Sequence, residues 1–180
     1  MTKRQQTRDK ILKAAWASFA QNGYDMTTTR QIAREAGVAD GTVFSHFPTK
    51  LSILREGMLT QLQQISQETL VSVEGKTAID IGLALTEKYY RYYFANVELS
   101  RALLKEVIWD LDYYQSFNQA LFQSASVSSV LEGKMPLIFD CYFMTLIAHL
   151  SRAEPDVEAA LTDLHTKFRQ IIPIESLANG

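Results

Sequence analysis

A single cysteine, Cys141, leaves this 180-residue chain no internal disulfide framework, and that usage fits a reducing compartment. The opening stretch MTKRQQTRDK is basic but lacks the apolar run of a signal peptide. The longest apolar run, Met135 to Leu150, is too short for a bilayer span and is interrupted by Asp140 and His149. A cytoplasmic protein with no membrane contact is expected. No strand-like alternation and no internal repeat occur, so β-sheet architectures are excluded. There is no G-x-S-x-G, no phosphate loop and no paired carboxylates in a glycine-bounded strand setting. His46, His149 and His165 are too scattered to suggest a metal. Nothing supports catalysis, a cofactor or a metal centre.

What is present is an apolar fraction of 47%, enough for one sizeable core or for a small head and a larger body. The net charge of −2 conceals an asymmetry. Residues 1–60 hold nine Lys/Arg against five Asp/Glu, while the remainder holds nine against fifteen. A basic head on an acidic body is the distribution expected when only the head meets phosphates.

Helical periodicity runs along the whole chain. Ile11, Leu12, Ala15 and Phe19 define a helix over Lys3 to Asn22, stopped by Gly23. Thr28 and Gln31 have the spacing of a capping box, Ile32 and Ala33 point to a core, and Ala36-Gly37 ends that second helix. A third begins near Asp40-Gly41 and carries Val43 and Phe47 inward. Two short helices about a glycine turn form either a helix-turn-helix that enters a DNA groove or a packed helical corner. Pro48 ends the third helix, and Thr49 caps a fourth from about Lys50 to Val71 with the stripe Ile53, Leu54, Met58, Leu62 and Ile65. Beyond Gly75 the spacing predicts helices over Thr77 to Ala95, Glu98 to about Asp110, about Gln115 to Leu131, Pro136 to Arg152 and about Pro155 to Ile172. The stretch Asp110 to Tyr114 serves as a separator, and the tail after Pro173 frays.

The stretch Thr27 through Leu54, with Ile32-Ala33, Ala36-Gly37-Val38, Gly41-Thr42-Val43, His46-Phe47 and Lys50, resembles the DNA-binding pattern of the TetR family of transcriptional regulators. Phe19, Gly23 and Tyr24 match its upstream pattern, and close similarity covers about residues 7–60. The resemblance implies an all-α protein of about nine helices. An N-terminal three-helix helix-turn-helix DNA-binding head over residues 1–49 is joined by a long helix to a ligand-binding and dimerisation body over residues 50–180. Carried over by position, the DNA-binding set is Arg4, Arg8, Thr28, Thr29, Arg30, Asp40, Gly41, Thr42, Phe44, Ser45, His46 and Lys50. His46, Lys50 and the amide end begun by Thr28 match phosphate contacts, and Arg30 reaches either phosphate or base edges. The N-terminal basic residues serve either DNA contact or solubility. Three departures stand out. Ala39 replaces a usual serine and Phe44 a usual tyrosine, each deleting a hydroxyl donor, and Asp40 adds a negative charge. Modest DNA affinity with a shallow salt slope is therefore expected.

In the body, Tyr89, Tyr92, Tyr93, Trp109, Tyr113, Phe117 and Phe143 are candidates for an aromatic effector pocket, with Asp140 as a carboxylate for a cationic ligand. The competing readings are ordinary aromatic core and, for Asp140, a first-turn dipole partner. The last two helices, with Val157, Leu161, Leu164, Phe168 and Ile171 on the final one, offer a seam either for a homodimeric four-helix bundle or for packing within the chain. The expected function is a homodimeric transcriptional regulator, a repressor released from a palindromic DNA operator by a small hydrophobic or aromatic effector. The alternative is a regulator without small-molecule effector, controlled by a protein partner or acting as an activator.

Overall fold

The computed structural model describes residues 2–110, 112–116 and 131–172. All regular structure among them is helical: α1 Lys3–Asn22, α2 Thr29–Ala36, α3 Asp40–His46, α4 Lys50–Ser72, α5 Ala78–Ala95, α6 Val97–Val107, a 3-10 turn Glu132–Lys134, α7 Met135–Leu150 and α8 Val157–Ile171. A further helical stretch covers 112–116. No described helix is long and apolar enough to cross a membrane. The chain divides into two compact units, Met1–Gln61 and Leu62–Gly180.

The first unit is built on its caps. Thr28 accepts from the Gln31 amide at 3.2 Å, and Gln31 Oε1 accepts from the Thr28 amide at 2.7 Å. This is the capping box that the spacing predicts. At the other end of α2, Gly37 takes φ 67° and ψ 36°. Its amide donates to Arg34 and the next, Val38, donates back to Ala33 at 3.0 Å. That paired closure needs a left-handed residue, which glycine adopts at least cost. Val43 on α3 and Phe47 just after it are buried, as are Ile11, Ala15, Phe19, Ile32 and Ile53, forming a core from which water is excluded. Buried Thr27 donates to the carbonyls of Ser18 and Gly23 at 3.2 and 2.7 Å, and Ser18 donates to Glu35 at 2.6 Å. These bonds fasten the end of α1 to α2. Thr49 caps α4 through the Ser52 amide at 3.0 Å.

Trp16 lies flat against α4 where Gly57 offers no side chain. A Cβ there would stand 2.1 Å from the Trp16 ring.

In the second unit, a capping box between Thr77 and Asp80 opens α5, which buries Ile79, Leu85, Tyr89, Tyr90 and Tyr93. On α4 the inward stripe continues from Leu62 through Ser66 and Thr69, while Ile65 is half-exposed. The spacing had favoured Ile65; the helix turns hydroxyls inward because Ser66 pairs with the buried Tyr89 hydroxyl. Two boundaries also differ from the sequence expectation. Asp110 Oδ1 accepts from the Tyr113 amide at 3.0 Å, so the expected separator starts a helical stretch instead. Pro155 precedes α8 rather than opening it, because Asp156 caps it through the amides of Glu158 and Ala159 at 2.8 and 3.2 Å. The helix expected over 115–131 lies almost wholly outside the described residues, as does the tail after Pro173.

The final seam turns inward: Leu161, Leu164 and Phe168 are buried within the chain. His149, solitary in the sequence, is buried on α7, with Nε2 3.1 Å from the Asp163 carboxylate. Lys167 donates to both Asp163 and Thr145, at 3.0 and 2.8 Å. The Lys167 hydrogen bond, opposed by partial desolvation and aided by His149, holds the Asp163 carboxyl below its ordinary range.

Three substitutions test these local geometries. Gly57→Ala should destabilise the protein by about 1–3 kcal/mol in urea denaturation, because the new methyl displaces the Trp16 ring. Gly82→Ala, whose added Cβ meets nothing within 4 Å, should instead gain up to about 1 kcal/mol from helix propensity. Ala39 is the N-cap of α3 and makes no side-chain cap bond. Ala39→Ser should therefore raise the denaturation midpoint without any DNA present, by the equivalent of about 1 kcal/mol.

Candidate nucleic-acid interface

The inner faces of α2 and α3 are committed to the core, so their outer faces define what the first unit can touch. Thr28, Gly41 and Ser45 are exposed, and Thr29 and Thr42 half-exposed. Phe44 is 51% exposed, an apolar ring turned to solvent where a core residue would be covered. Ser45 donates to the Thr42 carbonyl at 2.8 Å, a local bond that leaves its lone pairs outward. Between the two helices lies a concavity of about 320 Å³ lined by Thr28, Arg30, Gln31, Arg34, Val38, Ala39 and Asp40. Arg30 Nε donates to Asp40 Oδ2 at 3.2 Å across its lip. Asp40 also sits in the first turn of α3, where the helix dipole favours a carboxylate.

The cations of the sequence-derived set divide by what holds them. Arg4 is exposed on the first turn of α1. Arg8 is half-buried and engaged. Its Nε donates to Glu56 at 2.6 Å, its second terminal nitrogen closes the ion pair with the same carboxylate, and Nη1 donates to the His46 carbonyl at 2.7 Å. Its guanidinium also stacks 4.1 Å above the Phe47 ring. Lys50 is engaged still more completely. Its Nζ donates to the carbonyls of Tyr24, Asp25 and Thr27 at 2.7, 3.3 and 2.9 Å. An ammonium has three donors, so none is left over in this arrangement. Partial desolvation lowers the Lys50 pKa, with Asp25 pulling the other way. His46 is half-buried, and its Nδ1 is enclosed without a partner.

The candidates in the second unit separate in the same way. Tyr89 and Tyr93 are fully buried, Phe143 is 6% exposed, and Tyr92 and Tyr113 are half-buried. Desolvation raises the Tyr93 pKa, and the neighbouring hydroxyls of Tyr113, Tyr89 and Tyr92 raise it further, which puts these phenols in one neighbourhood. Two residues outside the candidate set, Tyr90 and Tyr142, belong to the same cluster. Tyr90 donates to the Tyr142 carbonyl at 2.6 Å, and their rings stand 5.2 Å apart. Trp109, 88% exposed, does not join them. Nor does Asp140, which α7 turns outward, three residues from exposed Leu137. Phe117 lies outside the described residues. A separate groove of about 430 Å³ runs between α5 and α8, lined by Leu83, Ala84, Glu87, His165, Phe168, Arg169 and Ile172. Among the described residues no group of three His, Cys, Asp or Glu side chains could hold a metal ion.

The first unit matches a known family. The sequence profile of bacterial regulatory proteins, tetR family, covers residues 11–56. The chain is 31% identical over 121 residues to YvkB, an HTH-type transcriptional regulator of Bacillus subtilis, a match spanning 64% of each chain. It is 37% identical over 73 residues to the HTH-type transcriptional regulator HbdR of an Aromatoleum species, covering 41% of this chain and 32% of that one. The chain thus spans less than two thirds of these curated relatives. Its fold is similar to that of Thermus thermophilus FadR, a TetR-family repressor whose structure was determined with lauroyl-CoA, at a TM-score of 0.72 and 20% identity over 91% of this chain and 92% of that one. The capped α2, the glycine turn at Gly37 and the exposed face of α3 all lie within the stretch that the tetR-family profile matches, and over that stretch the chain is similar to bacterial HTH-type transcriptional regulators.

Proposed function

We propose that this protein is a DNA-binding transcriptional regulator, a homodimer that represses from a palindromic operator and is released by a small effector with a hydrophobic or aromatic body. The observation that carries the DNA reading is the bare outer face of α2 and α3. Thr42, Phe44 and Ser45 stand free of the core beside Arg30, while the inner residues of the same two short helices are completely buried. Such a face fits a major groove, with the amide end of α2 directed at a phosphate. Exposed Arg4 and Arg34 supply the cations that Arg8 and Lys50 spend internally.

Support for the dimer comes from α7. Leu137 and Met144 are 52% and 62% exposed, and half-exposed Cys141 and exposed Ala148 share their face at helical spacing. A stripe of this kind gains by burial against a second copy. For the effector, the tyrosine cluster offers apolar walls with neutral hydroxyl donors, which suits an apolar molecule carrying one or two polar groups. The acyl thioester bound by the Thermus relative makes long-chain acyl-CoA the first probe. One observation favours a second reading, a regulator without small-molecule effector. Tyr89, Tyr90, Tyr93 and Tyr142 fill the interior with their own rings, so a ligand must displace them to enter.

Selection of duplexes from a randomised library by the full-length chain tests the DNA reading. Inverted repeats are expected, with affinity falling at least tenfold between about 50 and about 200 mM salt. Affinity insensitive to salt would sink the phosphate-contact reading. Release of the selected duplex by acyl-CoA or by a panel of aromatic compounds supports the effector, and release by none of them favours the second reading.

The dimer is checked by sedimentation. The wild-type chain should sediment as a dimer at micromolar concentration, and Met144→Lys, which sets an ammonium on the exposed stripe, should shift it to monomer. A monomeric wild type overturns the dimer.

A further inference from the structure

The pairing of Arg30 with Asp40 has a chemical consequence that rests on the DNA reading and sharpens it. Arg30 stands in the first turn of α2 with its side chain 88% exposed, and Asp40 opens α3 ten residues later. An ion pair this exposed contributes little to stability. Its effect is on what the guanidinium can recognise. Asp40 occupies Nε at 3.2 Å, and the two terminal nitrogens hold no partner among the described residues. Those two nitrogens form the end of the fork, whose parallel N–H bonds match the O6 and N7 acceptors of guanine in the major groove. A phosphate oxygen accepts from the same fork, and charge decides between the two. The carboxylate beside the guanidinium leaves the pair nearly neutral, so it attracts a phosphate weakly and repels it at close range. A base edge is uncharged and suffers no such repulsion. Arg34, one turn further along α2 and on the same concavity, is exposed, has no carboxylate against it among the described residues and can meet the backbone. The arrangement also accounts for a negative charge at the mouth of a DNA-binding face: Asp40 is neutralised by the residue it orients.

We propose that Arg30 reads a guanine in each operator half-site and that Asp40 is the positioning residue that aims it. The test compares full-length wild type, Arg30→Lys, Arg30→Ala, Asp40→Ala and the double alanine variant, all checked for unchanged melting. Each is titrated by anisotropy against the duplex selected by wild type and against its single-base variants. Expected is a guanine whose replacement costs wild type roughly tenfold or more in affinity. Arg30→Lys keeps the charge but loses the fork, and should lose that preference at that one position. Asp40→Ala should reduce the same preference while steepening the salt slope, since the released guanidinium turns to phosphate. The double variant should discriminate no worse than Arg30→Ala. The proposal is overturned if Arg30→Ala weakens every duplex by one factor and lowers the salt slope by about one, which marks a phosphate contact. It is equally overturned if Arg30→Lys or Asp40→Ala keeps the guanine preference. A wild type that selects no duplex defeats the DNA reading itself, and this proposal with it.

Discussion

In the connection between α1 and α2, three backbone carbonyls converge on one ammonium. The Lys50 side chain reaches from the first turn of α4 to Tyr24, Asp25 and Thr27 and lies 4.3 Å from the Tyr24 ring centroid. Three charge-assisted hydrogen bonds from one side chain hold the connection between α1 and α2. The Thr28 cap begins immediately after the anchored residues, and its register sets where α2 ends and where Gly37 turns the chain into α3. Arg8 is the second brace. It joins α1 to Glu56 on α4 and to the last carbonyl of α3, with Phe47 beneath it. The orientation of α3 is thus decided by two cations that do not lie on it.

This arrangement changes the meaning of the charge asymmetry. Counting places nine cations in the first sixty residues, and an electrostatic reading treats them as equivalent. They are not. Arg8 and Lys50 are spent on carbonyls and a carboxylate, and Arg30 is matched by Asp40. The positive potential available to a polyanion comes instead from Lys3, Arg4, Lys10, Lys13 and Arg34 on exposed helix surface. The engagement of Arg8 and Lys50 is a second reason, beside the hydroxyls lost at Ala39 and Phe44, to expect a shallow salt slope. Side chains that brace the fold cannot release counterions on binding.

Local rules carried most of the fold. The boundaries of α1, α2 and α3, the caps at Thr28, Thr49 and Thr77 and the left-handed turn at Gly37 depend on residues within a few positions of each other, and each is readable from spacing. Interactions between distant positions were not. Arg8 and Glu56 are 48 residues apart, Lys50 and Tyr24 are 26 apart, and nothing in either neighbourhood marks them as partners. The final helix shows the same limit differently. Its apolar seam is legible, but periodicity gives only that a face is buried and is silent on what buries it. Here the chain covers the seam itself, and the exposed apolar stripe falls on α7, at Leu137 and Met144.

The tyrosine-rich interior can be argued one step further from the cost of its hydroxyls. Tyr90 and Tyr142, outside the candidate set, are buried, and in the core their polar ends need partners. Tyr90 finds a backbone carbonyl, Tyr89 finds Ser66 on α4, and burial raises the pKa of each phenol, so all stay neutral. A wholly apolar molecule entering among them breaks these bonds and replaces none, which opposes binding however well it fits. A molecule that brings its own acceptor re-forms what it displaces. Because the Ser66–Tyr89 bond ties α4 to α5, such an exchange would act first on the pairing of those two helices. The interior is therefore selective by chemistry before shape, and its selectivity resides in hydroxyls that an apolar periodicity count cannot distinguish from ring carbons.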